Sequence, residues 1–188
     1  MRKKELLLSV ALVASLLAIM VSGTLAYYTS GDVAHNVITT SGVDIELVEK
    51  INGEIAESDE DRLITDVLPC MKVDKEVWVE SSETSAECWV RVSVTITIVD
   101  KDGEELSTDG VLTLDYDTEN WTESDGFWYY NSPLSAGQQT PELFTTVTFS
   151  DSLGNEYQAT TTTITINAQA VQTKNNGTTA LEAAGWPE

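Results

Sequence analysis

The run Cys88–Val99 constrains the fold more than any other part of the chain. Val90, Val92, Val94, Ile96 and Ile98 are apolar, and Arg91, Ser93, Thr95 and Thr97 alternate with them. Period-two alternation marks a strand with one buried face. The β-branched residues that fill it suit a pleated surface and lose χ1 freedom in a helix. A strand this long with one apolar face needs a second layer to cover it. The remaining sequence supplies candidates at 76–80, 111–116, Phe127–Tyr130, 143–149 and 160–171, where Ile164, Ile166, Ala168 and Ala170 alternate with polar residues. Asp100-Lys101-Asp102-Gly103 and Asp151-Ser152-Leu153-Gly154-Asn155 read as turns. Residues 52–61 read as a solvated loop, and one helical turn is expected within 179–184. The expected fold is all-β, an antiparallel jelly-roll-like β-sandwich following an N-terminal signal helix.

That helix comes from the segment 1–26. Arg2, Lys3 and Lys4 lead into an almost wholly apolar stretch from Leu6 to Val21, followed by Ser22-Gly23-Thr24-Leu25-Ala26. This is the order of a secretory signal peptide, with small residues at the cleavage site. The apolar stretch is shorter than the roughly 20 residues a membrane-spanning helix needs, which counts against a retained anchor. Cleavage is expected between Ala26 and Tyr27. The resulting division is 1–26 signal peptide, 27–47 N-terminal strand segment, and 48–188 β-sandwich with a short tail. The membrane is then a partner only before cleavage, and signal peptidase a partner only during export.

The net charge is −21, and losing Arg2, Lys3, Lys4 and Glu5 with the leader carries it to −23. Nucleic acids and anionic lipids are bound through Lys and Arg, so a chain this acidic excludes both as partners. The charge suits solubility, attraction of cations or a basic partner. The chain has two cysteines, Cys70 and Cys88. Outside the cytoplasm such a pair can close a disulfide stabilising the fold by about 3 kcal/mol. Two buried free thiols are the alternative.

Catalytic chemistry finds little footing. A zinc hydrolase needs three protein ligands and an open position, and His35 is the single histidine, with no H-E-x-x-H motif. A serine hydrolase has only His35 as base and no G-x-S-x-G turn. Asp100-Lys101-Asp102-Gly103-Glu104-Glu105 superficially resembles a calcium loop, but lacks the twelve-position spacing with its final bidentate Glu. A solvated turn is the plainer reading, as it is for Glu57-Ser58-Asp59-Glu60-Asp61. Trp78, Trp89, Trp121, Trp128, Tyr129 and Tyr130 suit either a sandwich core or a carbohydrate-stacking platform, and core is the reading taken. No catalytic residue, metal site or cofactor is expected.

Three stretches together resemble a known family. Gly23-Thr24-Leu25-Ala26-Tyr27-Tyr28-Thr29 is followed by Asn36-Val37-Ile38-Thr39-Thr40-Ser41-Gly42-Val43-Asp44-Ile45-Glu46-Leu47. Val67-Leu68-Pro69 leads to Lys75-Glu76-Val77-Trp78-Val79, then to Ser85-Ala86-Glu87-Cys88-Trp89-Val90-Arg91-Val92. Trp128-Tyr129-Tyr130-Asn131 leads through Leu134-Ser135-Ala136-Gly137-Gln138 to Leu143-Phe144-Thr145. In order and spacing these are similar to the exported TasA/camelysin-like proteins with a SipW-type signal peptide. The resemblance implies a secreted jelly-roll sandwich of the cell surface or biofilm extracellular matrix. Some members form matrix fibres, and camelysin has been described as a surface metalloprotease, so these activities are rival implications.

The fibre reading has a definite chemical form. Cleavage frees a strand-like segment carrying Val33, Val37, Ile38, Val43, Ile45 and Leu47. Such a segment can add to the sheet edge of a neighbouring copy, with main-chain hydrogen bonds supplying affinity. Partners are then other copies or related matrix proteins. The alternative is a monomeric adhesin-like surface module that loses binding when an exposed Trp is replaced.

Overall fold

The computed structural model describes residues 36–39 and 42–187. Twelve strands are assigned there: β1 (Asn36–Thr39), β2 (Ile45–Ile51), β3 (Glu54–Ile55), β4 (Ile64–Thr65), β5 (Lys72–Ser81), β6 (Cys88–Val99), β7 (Glu105–Leu106), β8 (Leu112–Leu114), β9 (Trp121–Ser124), β10 (Phe127–Tyr130), β11 (Phe144–Phe149) and β12 (Thr161–Gln172). One sheet runs β1-β12-β6-β10-β9, with β4 also on β12 and β7 on β6; the other runs β3-β2-β5-β11-β8. Every pairing is antiparallel except β1 with β12. The chain crosses repeatedly between the sheets, giving the expected all-β sandwich.

Local chemistry explains the element ends. Asn52 (φ 51°) and Gly53 (φ 89°) join β2 to β3, and Asp125 (φ 52°) and Gly126 (φ 79°) join β9 to β10. Both are two-residue turns needing positive φ at each central position, which Asn-Gly and Asp-Gly adopt most readily. The expected loop at 52–61 therefore opens as a hairpin before reaching a short 3-10 turn at Glu60–Arg62. The expected helical turn near the C-terminus is a 3-10 turn, Ala180–Glu182, capped by the Thr179 side chain.

The principal core lies between the sheets. Val90, Val92 and Ile98 from β6, with Ile164, Ile166, Ala168 and Ala170 from β12, face Leu47, Val77, Val79, Phe144 and Val147 of the other sheet. A second cluster covers the outer face of the β6-β10-β12 sheet. Trp89, Tyr129 and Val171 project there, and the C-terminal segment folds over them with Ala180, Ala183 and Trp186. The Arg91 guanidinium lies 3.9 Å from the Phe127 ring centre and 4.7 Å from that of Trp186. Asn176 braces this strap, donating to Gln172 O and Ala184 O and accepting from Ala184 N. Its own carbonyl accepts from the Trp89 indole at 2.9 Å.

The cysteines correct an expectation. Cys70 and Cys88 are both free thiols, Cys70 exposed and Cys88 buried. Cys70 sits before the first residue of β5, and Cys88 follows the linker after its last. Ten extended residues advance about 33 Å, whereas a disulfide requires Cα atoms within about 7 Å. The strand between them holds the two thiols near opposite ends of the sandwich, Cys88 on β6 of the facing sheet. Burial pushes the Cys88 thiol up to about 12, with the Glu87 charge adding to the effect, so it has little thiolate character.

Candidate functional site

The feature with most chemical consequence is strand β12, whose two sides differ. Its inner side pairs with β6 over its whole length, from Thr161↔Val99 to Gln172↔Cys88. Its outer side carries two short pieces. β4 pairs antiparallel at Thr65↔Thr161 and Ile64↔Thr162, and β1 pairs parallel from Asn36↔Asn167 to Thr39↔Ala170. Thr163, Ile164, Thr165 and Ile166 have no strand partner on that side among the described residues. Among the described residues that side is thus paired at both ends and unpaired between.

Each border has its own local cause. β4 belongs to a crossover from the β2-β3 hairpin to β5, fixed by a buried ionic cluster. Glu49 on β2 pairs with Lys75 on β5, and its second oxygen lies 3.3 Å from Arg62 Nε. Arg62 donates from Nη2 to Ala56 O at 2.8 Å and from Nη1 to Asp59 Oδ1 at 3.1 Å. Glu49, Arg62 and Lys75 are all buried, with Lys75 at 0% exposure. Burial lowers the Lys75 pKa, while the Glu49 charge and hydrogen bond oppose the shift. These buried charges tie positions 49, 62 and 75 into one unit, because removing one strands the others.

The donor-segment residues separate at this point. Val37 and Ile38 lie in β1, opposite Ala168 and Gln169. Val43, Ile45 and Leu47 are instead buried in the sandwich core, the latter two on β2, which pairs with β5 along all seven of its residues. The expectation of a single strand-like segment to residue 47 is corrected: the side chains of Val43, Ile45 and Leu47 fill the core and cannot leave without opening it. Ala26, Tyr27, Val33 and His35 lie outside the described residues.

The aromatic residues divide between the two clusters. Trp121 is fully buried, and Trp128 and Tyr130 pack on the principal core. Trp128 stacks on Tyr116 at 4.1 Å between ring centres. Trp89 and Tyr129 lie under the C-terminal strap. Trp78 is half-buried, its indole donating to Glu80 Oε1 at 2.8 Å. Among the described tryptophans, Trp78, Trp128 and Trp186 are half-buried and Trp89 and Trp121 are buried.

The acidic turns are satisfied internally. Asp100 Oδ1 accepts from the Asp102 and Glu104 amides at 2.8 and 2.9 Å, holding its carboxyl below the ordinary range. Asp115 has a structural task that residue type alone does not reveal. A bulge in β11 between Phe144 and Thr146 frees two amides from the ladder. The Asp115 carboxylate accepts both, from Thr145 N at 2.8 Å and Thr146 N at 2.6 Å, and also the Thr145 hydroxyl. Burial pushes its pKa up, and these hydrogen bonds outweigh burial and hold it low. Among the described residues, no three His, Cys, Asp or Glu side chains gather as a metal-binding group.

The fold is an all-β sandwich of two sheets, antiparallel apart from β1 on β12. Comparison with protein-family models, curated proteins and solved structures finds no match.

Two hairpins carry a sequence signal that alternation alone does not use. Asp125-Gly126 between Trp121–Ser124 and Phe127–Tyr130 marks one. Asn52-Gly53 marks the other. The Glu49–Arg62–Lys75 cluster has no such signal, since partners on separate elements meet only in the folded sheet.

Proposed function

We propose that this chain is an exported structural protein of a bacterial cell surface or extracellular matrix, without catalytic function, that joins copies by donor-strand addition. The observation that carries the reading is the short β1, laid parallel on the outer side of β12 as that sheet's edge. A four-residue strand makes few cross-strand contacts, so exchanging it for the equivalent strand of a neighbour costs little and restores the same hydrogen bonds. The exchange is head-to-tail and propagates as a filament. The resemblance to the TasA/camelysin-like proteins, the leader-like segment 1–26 and the acidic composition support the same reading.

The test is light scattering with negative-stain microscopy on protein beginning at Tyr27, beside protein carrying extra residues ahead of it. Filaments from the first preparation alone are expected. Monomers in both, at concentrations up to the solubility limit, would remove donor-strand assembly as an intrinsic property of the chain.

A further inference from the structure

The core-facing row of β5 holds Val73, Lys75, Val77 and Val79, and that of β2 holds Ile45, Leu47, Glu49 and Ile51. One lysine and one glutamate thus interrupt two otherwise apolar rows. In the β2–β5 register Lys75 lies opposite Ile51 and Glu49 opposite Val77, which sets the two side chains diagonally on one face. Lys75 Nζ contacts Glu49 Oε2, and Arg62 Nε stands 3.3 Å from Glu49 Oε1. Lys50 and Glu76, on the other face of the same strands, give the contrast. Their side chains are each 32% exposed, so water hydrates both groups of that pair.

We infer that Lys75 and Glu49 form a site of covalent modification, condensing in the folded chain to an intramolecular isopeptide bond while Arg62 holds the developing oxyanion. The step balances without a co-reactant. A proton passes from Nζ to Oε2, leaving a neutral amine beside a carboxylic acid. Nζ then attacks Glu49 Cδ, and the carbonyl electron pair moves onto Oε1 beside Arg62 Nε. A second Nζ proton goes to the Oε2 hydroxyl, which departs as water while the Cδ–Oε1 carbonyl re-forms. The product is an amide joining the two side chains. Burial lowers the Lys75 pKa, which favours the neutral amine that attack requires. Condensation also replaces two charges that are costly in an apolar core by one neutral amide. Held neighbours need no bimolecular encounter, and a cation aimed at the developing charge acts strongly where water is excluded. Arg62 keeps the Asp59 carboxylate as its counter-charge, 3.1 Å from Nη1. Until the bond forms, Lys75 remains a titrating amine. The amide would join positions 26 residues apart, tying β2 to β5 in a chain whose two cysteines are both free. This site is independent of the donor-strand reading.

The test uses protein beginning at Tyr27, refolded, held at neutral pH and sampled over time by intact mass spectrometry and tryptic mapping. A species lighter by one water is expected to accumulate in the folded chain and not in chain kept in urea. Trypsin should cut it after Lys50 and Lys72 but not after Lys75, leaving peptide 27–50 covalently attached to peptide 73–91. Lys75→Arg keeps the cation but offers no such amine, and should show neither sign. The wild-type map decides the question even if that variant fails to fold. Asp-Gly turns such as Asp125-Gly126 can also lose one water, but they yield a linear succinimide peptide and no linked pair. Wild type of full mass with cleavage after Lys75 at every time point, or a water loss that maps only elsewhere, would overturn the site. Neither result bears on donor-strand assembly, which light scattering reads separately.

Discussion

The two sides of β12 are built to different standards. On the inner side, all twelve residues pair with β6 in one unbroken register, and the side chains between them form the centre of the core. On the outer side, six residues are paired among the described residues, by two short strands of opposite direction from distant parts of the chain. One strand therefore carries both the most determined and the least determined contact in the sheet. Register on the inner side is fixed because a one-residue slip would turn every apolar side chain outward. On the outer side β4 adds Ile64 to the core, and β1 pairs with β12 through four residues.

Substitutions should separate the sides. The largest loss of stability is expected from the inner side, where Ile98→Ala should cost about 3 to 5 kcal/mol in denaturant unfolding, since Ile98 is 1% exposed. A cost below about 1 kcal/mol would show that the ladder is looser than its register implies. Breaking the cluster behind β4 comes next: Lys75→Met should cost about 3 kcal/mol by leaving Glu49 short of a buried partner. The pH dependence tests the same cluster. With its folded pKa below 10.5, Lys75 binds a proton less readily in the folded chain than in the unfolded one. Its contribution should therefore grow more favourable as pH rises from the folded value toward 10.5. Wild type should show this component in thermal unfolding and Lys75→Met should lack it.

Smaller effects are expected on the outer side. Deleting residues 36–39 should lower stability by about 1 kcal/mol or less, given so few cross-strand pairs, while abolishing association. A deletion that unfolds the protein would place β1 with the inner ladder instead. The smallest change is local to β11. Asp115→Asn should remove an acid-sensitive component of stability, because the lowered Asp115 pKa gives stability that is present above the unfolded value near 3.8 and lost as pH falls through the folded one. Matching acid-unfolding curves for wild type and variant would show that the bulge does not depend on the carboxylate's charge.

Much of the inner side is legible in the residues alone. Alternation at Val90–Ile98 and Ile164–Ala170 names two long strands and the face each buries, because side chains on successive residues must point to opposite faces. The strands Cys88–Val99 and Phe127–Tyr130 fall where the residues place them. The outer side is not legible in that way. Residues from Asn36 to Leu47 look like one apolar segment, and only the folded chain divides them between a sheet edge and the opposite sheet. Similarly, nothing in residue type distinguishes Trp89, covered by the C-terminal strap, from a tryptophan offered to a ligand.

Strand class, apolar faces and acidic composition follow directly from side-chain chemistry and local periodicity. The tertiary structure alone decided which strands became neighbours, that Cys70 and Cys88 stand apart, and that Glu49, Arg62 and Lys75 meet. Those outcomes depend on closing loops between distant residues, and local propensity does not encode which closure buries the most apolar surface while leaving every buried charge a partner.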